Sequence, residues 1–169
     1  AEEKMTGTME FLMTTPTSNI EIVLGKYLGC LIFFSSIIAL TTPYYFIIEF
    51  FGTPDRIAVL VGYLGIWMEG ALFLAMGMLA SSWTRNQVVA AIISYGVLFL
   101  LYFSMSFIHY VDGVTEAVVH YISLLSHSEN FSVGLVTSSD VIYYIGGIIL
   151  CLFATQVSIC VEKRPRHFI

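Results

Sequence analysis

The sequence predicts an all-α integral membrane protein: four transmembrane helices, a short amphipathic segment ahead of them, and external amphipathic helices before the last one. Three observations predict it. Hydrophobic residues make up 57% of the chain and charged residues 11%, with a mean hydropathy of +0.85, whereas a water-soluble domain carries about a quarter charged residues. With so few charges the chain cannot cover a water-facing surface and needs lipid as solvent. Four apolar stretches, 27–48, 57–80, 88–108 and 141–161, each reach the ~20 residues that cross a bilayer as helix. Finally, Lys and Arg are unevenly shared between the loops. With the N-terminus inside, Lys4, Lys26, Arg85, Lys163, Arg164 and Arg166 lie on the cytoplasmic side and only Arg56 outside, the asymmetry that orients spans. Loop 52–56 and segment 111–140 are then external, and both ends of the chain are cytoplasmic.

The first element is residues 5–26, an amphipathic stretch, a turn at Pro16 and the start of a helix. Met9, Phe11, Leu12 and Met13 beside Glu10 form a small adaptable apolar surface. It suits docking into a groove of a soluble partner, or passive contact with lipid headgroups. Ser18-Asn19-Ile20-Glu21 reads as a capping box that opens the first long helix before lipid begins. Within that span Thr41-Thr42-Pro43 should kink the helix or end its regular hydrogen bonding. Gly25-x-x-x-Gly29 and Ala71-x-x-x-Ala75 are spacings that let helices approach closely. Tyr44, Tyr45, Tyr110, Tyr143 and Tyr144 fall near span ends, where an interfacial aromatic belt is expected.

The second span carries Glu69 near its middle. An ionised carboxylate at that depth costs about 3 kcal/mol or more unless it is paired, wet or protonated. It reads either as a group in a water-filled translocation path or as a protonated acid bonded to a neighbouring helix. Thr84-Arg85-Asn86-Gln87 forms the cytoplasmic turn and supplies a cap for the third span. The hydroxyls of Ser94, Tyr95, Tyr102, Ser104 and Ser106 on that span do not share one face, so bonding between helices is the expectation. Outside, Val114, Val118, Tyr121, Ile122 and Leu125 make a helical stripe opposite Thr115, Glu116, His120 and Ser123. Too short to span, it is expected to lie on the outer membrane surface or dip into it. A second short helical turn is expected within 127–136, before Asp140 starts the last span.

Little in the chain suggests local chemistry. His120, His127, Glu116 and Glu129 are a loose external set whose spacing matches no zinc signature. Cys30, Cys151 and Cys160 lie in or beside apolar runs, as small buried hydrophobes do. No Ser/His/Asp, HExxH or paired-acid motif appears, so an enzyme is not expected. A net charge of −5 without a basic block argues against nucleic acid. The one Gly-Lys pair, Gly25-Lys26, is followed by Tyr27 and lacks the upstream Gly of a phosphate loop. The chain opens on Ala1 without an initiator Met or signal peptide, and we expect it to be a piece of something longer.

Several motifs carry a resemblance. They are Glu2-Glu3-Lys4-x-Thr6-Gly7-Thr8-x-Glu10-Phe11-Leu12-x-Thr14-x-Pro16, then Glu21-Ile22-Val23-Leu24-Gly25-Lys26 and Gly62-Tyr63-Leu64-Gly65. Further on come Ala80-Ser81-Ser82-x-Thr84-Arg85-Asn86-Gln87-Val88-Val89-Ala90-Ala91 and Ser123-Leu124-Leu125-Ser126-His127. In order and spacing the chain resembles the ABC type-2 permeases, in the branch of gliding-motility and copper-processing exporters. Ser128 stands where that pattern has an aromatic residue, and Glu69 where it is apolar.

The resemblance implies one permease domain over 1–169, divided into a coupling segment (1–19), three spans (20–110), an external helical segment (111–140) and the last span with its basic tail (141–169). It implies the C-terminal two-thirds of a six-span permease in a bacterial inner membrane, paired with a second permease unit and driven by an ABC ATPase on a separate domain or subunit. The cytoplasmic helix at 5–15 would pack on that ATPase, with contacts from Thr8, Glu10, Phe11, Leu12, Met13, Thr14 and Pro16. No cofactor is implied. The other reading is a membrane anchor that docks an ATPase without transporting anything.

Overall fold

Ser18 opens the first helix as a reciprocal cap. Its hydroxyl accepts from the Glu21 amide at 3.3 Å, and its own N–H donates to the Glu21 carboxylate at 2.9 Å, which satisfies two donors that a helix start leaves unpaired. The computed structural model describes residues 18–106 and 113–162. In them the helices run in order α1 Asn19–Phe51, α2 Arg56–Trp83, α3 Gln87–Phe103, α4 Val114–Ile122, α5 Leu124–Ser132 and α6 Ser138–Glu162, and no strand occurs among the described residues.

Four of these helices, α1, α2, α3 and α6, are long and apolar enough to cross a bilayer, matching the predicted spans. In the most apolar stretches of α1 and α3 only 11% and 6% of residues are buried against the rest of the chain. Ile32, Phe33, Leu40, Ile92 and Leu100 all point outward, a surface that lipid accepts and water does not.

Pro43 does not end α1, which continues to Phe51. Two side-chain hydroxyls hydrogen-bond to backbone carbonyls in the turn before Pro43. Thr41 donates to the Ile38 carbonyl at 2.6 Å, and Tyr63 of α2 donates to the Thr41 carbonyl at 3.2 Å. Neither bond reaches the Ala39 carbonyl that Pro43 leaves without its helical donor; the Tyr63 bond ties this part of α1 to α2. The cap of α3 is also shifted from the expectation. Asn86, not Thr84, accepts from the Val88 amide at 2.9 Å, while Thr84 closes α2 and donates to the Asn86 carbonyl. Three residues, Thr84, Arg85 and Asn86, join α2 to α3, and the last of them takes the cap.

At the centre lies α2, packed against α6, α3, α5 and α1. Ala71 and Ala75 are 1% and 0% exposed, and Tyr27 of α1 donates to the Ala71 carbonyl at 3.1 Å. That small-residue spacing is a real helix contact. Gly25 and Gly29 face open space, so the other spacing packs nothing among the described residues.

The segment between α3 and α6, expected to be external, divides in two among the described residues. Helix α4 keeps its apolar stripe exposed, with Val114, Val118, Tyr121 and Ile122 all outward, as a surface-lying helix would. Helix α5 instead enters the bundle: Leu124, His127 and Phe131 are buried. Extended backbone at Ser123 (φ −64°, ψ 122°) separates the two helices, and Gly134 (φ +82°) turns the chain back against Ala58. Segment 124–134 therefore shares an end of the bundle with loop 52–56. Two belt tyrosines are corrected as well. Tyr144 is fully buried in the core with Met68, Leu72, Leu124 and Phe131, and Tyr143 donates to the Ile122 carbonyl at 2.8 Å. Both face α5 because α5 occupies the place where lipid would otherwise be.

Candidate functional site

Buried polar groups gather where α5 meets the start of α6. His127 Nδ1 lies 2.6 Å from Asp140 Oδ1, His127 Nε2 lies 3.1 Å from the Tyr121 carbonyl, and Asn130 donates to Asp140 Oδ2 at 2.9 Å. Tyr143 stacks on the imidazole with centroids 4.1 Å apart. The Asp140 carboxylate also sits in the first turn of α6, where helix N–H groups favour negative charge. Burial makes each of these bonds costly to lose, since an uncompensated ion would be left in a low-dielectric site.

This arrangement redraws the expected external His/Glu set. His127 turns inward to Asp140, while Glu116, His120 and Glu129 remain exposed. No group of three or more His, Cys, Asp or Glu that could hold a metal occurs among the described residues. Sequence reasoning missed Asp140 and Asn130. The available signal was an aspartate at the mouth of an apolar span, a charge that needs a partner.

Residues of α2, α3 and α5 line a half-open cavity of about 300 Å³. Gly65, Glu69, Tyr102, Ser128, Glu129 and Phe131 are among its walls. Glu69 is half-buried and receives no hydrogen bond from a described residue. The Tyr144 hydroxyl is buried without a hydrogen-bond partner among the described residues.

The opposite end of the bundle carries the turn of Thr84, Arg85 and Asn86, with Arg85 and Asn86 exposed. Beside it an open groove of about 580 Å³ runs between α1, α2 and α3, edged by Lys26, Gly29, Ser81, Gln87 and Ala91. Among the described residues, two of the third-span hydroxyls bond within their own segment rather than between helices as expected. Ser94 donates to the Ala90 carbonyl at 2.6 Å and Ser104 to the Leu101 carbonyl at 2.8 Å, both in their own chain segment, because the carbonyl a turn back is the nearest acceptor. Helices are joined by other groups, such as Trp67 of α2 donating to Ser35 of α1 at 2.9 Å. The expected coupling residues Thr8, Glu10, Phe11, Leu12, Met13, Thr14 and Pro16 lie outside the described residues.

In comparisons with known proteins, a family model described as ABC-2 family transporter protein matches residues 1–154. No curated protein and no solved structure matches the chain.

Proposed function

We propose a function from one premise: the chain belongs to the ABC-2 family of transporter proteins. It is then a membrane component of an ABC transporter, and its role is that of the permease, giving a solute a route across the bilayer while an ABC ATPase on another domain or subunit supplies the energy. The observation that carries this reading is the family match over 1–154, which takes in α1, α2 and α3 whole and most of α6. The lack of a phosphate loop around Gly25-Lys26 agrees with energy arriving from elsewhere.

The finer parts of the reading follow the same logic. Residues 5–15, with Thr8, Glu10, Phe11, Leu12, Met13, Thr14 and Pro16, are the ATPase contact, and the turn of Thr84, Arg85 and Asn86 faces the same compartment. Lys and Arg asymmetry supports placing that end in the cytoplasm of a bacterium. A second permease unit completes the path, and the open faces of Gly25 and Gly29 leave room for a helix to approach. Glu69 lines the route. The resemblance to gliding-motility and copper-processing exporters is kept for the branch on the motifs that suggested it.

Reconstitution of the full complex in proteoliposomes tests the reading. ATP-dependent movement of a solute is expected, and Phe11→Asp with Leu12→Asp should abolish it while ATP hydrolysis continues uncoupled. ATPase binding with no flux of any solute would leave a membrane anchor instead.

A further inference from the structure

Helix α5 lies between two points where the backbone can swing. Extended Ser123 precedes it and Gly134, at φ +82°, follows it, and hinges are made of such element-terminal residues. Apolar burial alone does not fix its place, because lipid accepts Leu124 and Phe131 as readily as the bundle does. Polar bonds then weigh heavily. Among the described residues, the side-chain hydrogen bonds from α5 to α6 both end on Asp140, one from His127 and one from Asn130.

These bonds depend on a proton. The ring nitrogens of His127 face two acceptors, Asp140 Oδ1 at 2.6 Å and the Tyr121 carbonyl at 3.1 Å. Both contacts are hydrogen bonds only when the pair holds one proton more than a neutral imidazole and an ionised carboxylate. Without it a ring lone pair faces an oxygen lone pair, and a negative charge stays buried, with His127 6% and Asp140 3% exposed. No neighbouring group supplies a replacement charge. Helix α6 presents Asp140, the stacked Tyr143 and, against Phe131, Tyr144. Helix α4 presents the Tyr121 ring. On α2 and α3, Glu69 and Tyr102 face α5 across the cavity, beside Glu129 of α5 itself. None of these is a cation.

We infer that His127 and Asp140 form a proton-dependent latch that holds α5 in the bundle. The closed form keeps a proton that the open form gives up to water once the pH passes the range in which free histidine loses its charge. Closure is therefore favoured below that range and weakened above it, by up to tenfold per pH unit for one proton. Leu125, Ser128 and Phe131 of α5 wall the cavity that contains Glu69, so release of the latch opens that cavity on one side. The latch does not rest on the permease reading.

The test is amide hydrogen exchange of the full chain in phosphatidylcholine nanodiscs, read by peptide mass spectrometry and corrected for the intrinsic rise of exchange with pH. Between about pH 6 and about pH 9, a span that takes histidine through its titration, protection of 124–132 should fall at least tenfold. Protection of the α2 stretch 66–80 should change less than twofold. In Asp140→Asn a neutral imidazole can donate to the Tyr121 carbonyl and accept from the new amide, so protection of 124–132 should change less than threefold over the same span. A merely structural role would lower protection at both ends and leave the slope. His120→Gln, which alters an exposed histidine, should keep the slope of the unaltered protein. Flat protection in the unaltered protein, an equal fall in α2, an unaltered slope in Asp140→Asn or a lost slope in His120→Gln overturns the latch. The unaltered protein decides the first two outcomes even where Asp140→Asn fails to fold.

Discussion

His127 faces two acceptors, a carboxylate and a backbone carbonyl. Its ring nitrogens therefore carry a proton each, or Asp140 supplies the proton on its side, and the pair is neutral overall in either form. Neutrality is what a buried site between membrane helices requires. Asp140→Ala leaves the imidazole without its counter-charge and should cost about 3–5 kcal/mol of unfolding free energy. Asp140→Asn keeps the shape and lets a neutral imidazole accept from the new amide, so the loss should be about 1–2 kcal/mol. Denaturant unfolding followed by the fluorescence of Trp67 and Trp83 reads both. Equal losses for the two variants would mean that charge plays no part. Neither partner was legible beforehand as one of a pair, because they lie thirteen positions apart on elements whose packing no local pattern specifies.

Helix α5 is the element that departs furthest from expectation, and its position depends on a close approach to α2. A Cβ on Gly65 would sit 2.5 Å from Phe131 Cβ, whereas one on Gly62 would have the Phe131 carbonyl as its nearest neighbour at 4.0 Å. Gly65→Ala should push α5 off α2 and destabilise by about 1–3 kcal/mol. Gly62→Ala should be neutral or stabilise by up to about 1 kcal/mol, as expected for Gly→Ala in a helix. The same unfolding assay compares them, and equal effects would show that the α2–α5 contact is not limiting. Long elements were easier to anticipate than α5. Length and hydropathy alone mark α1, α2, α3 and α6, and the Ser18 box marks where α1 begins. The apolar stripe at 114–125 was visible too. Its partner was not, since a face buried in lipid and a face buried in protein have the same composition.

For the whole molecule, two ends differ in chemistry. One carries the His127–Asp140 cluster and an ion pair between Glu49 and Arg56 that spans loop 52–56 at 2.5 Å. The other carries the turn around Arg85 and the groove beside Lys26. The Lys and Arg count predicts that the second end is cytoplasmic. Single cysteines on a background lacking Cys30, Cys151 and Cys160 check this in intact cells. Thr53→Cys should react with a membrane-impermeant maleimide from outside, and Arg85→Cys only after permeabilisation. The reverse pattern would invert the orientation, and with it the assignment of residues 5–15 to an ATPase.

Sequence by itself determined the solvent, the four spans, the cap at Ser18 and the family. Each depends on composition, on period or on motifs read along the chain. Tertiary structure alone decided that α5 enters the bundle, that Pro43 leaves α1 unbroken, that Asp140 pairs with His127, and that Tyr144 is buried in the core. The physical reason is common to all four. In lipid the drive to bury apolar surface no longer distinguishes inside from outside. Which faces meet is then settled by close packing at glycines and by scarce polar groups finding one another across helices, and both are long-range properties of the assembled bundle.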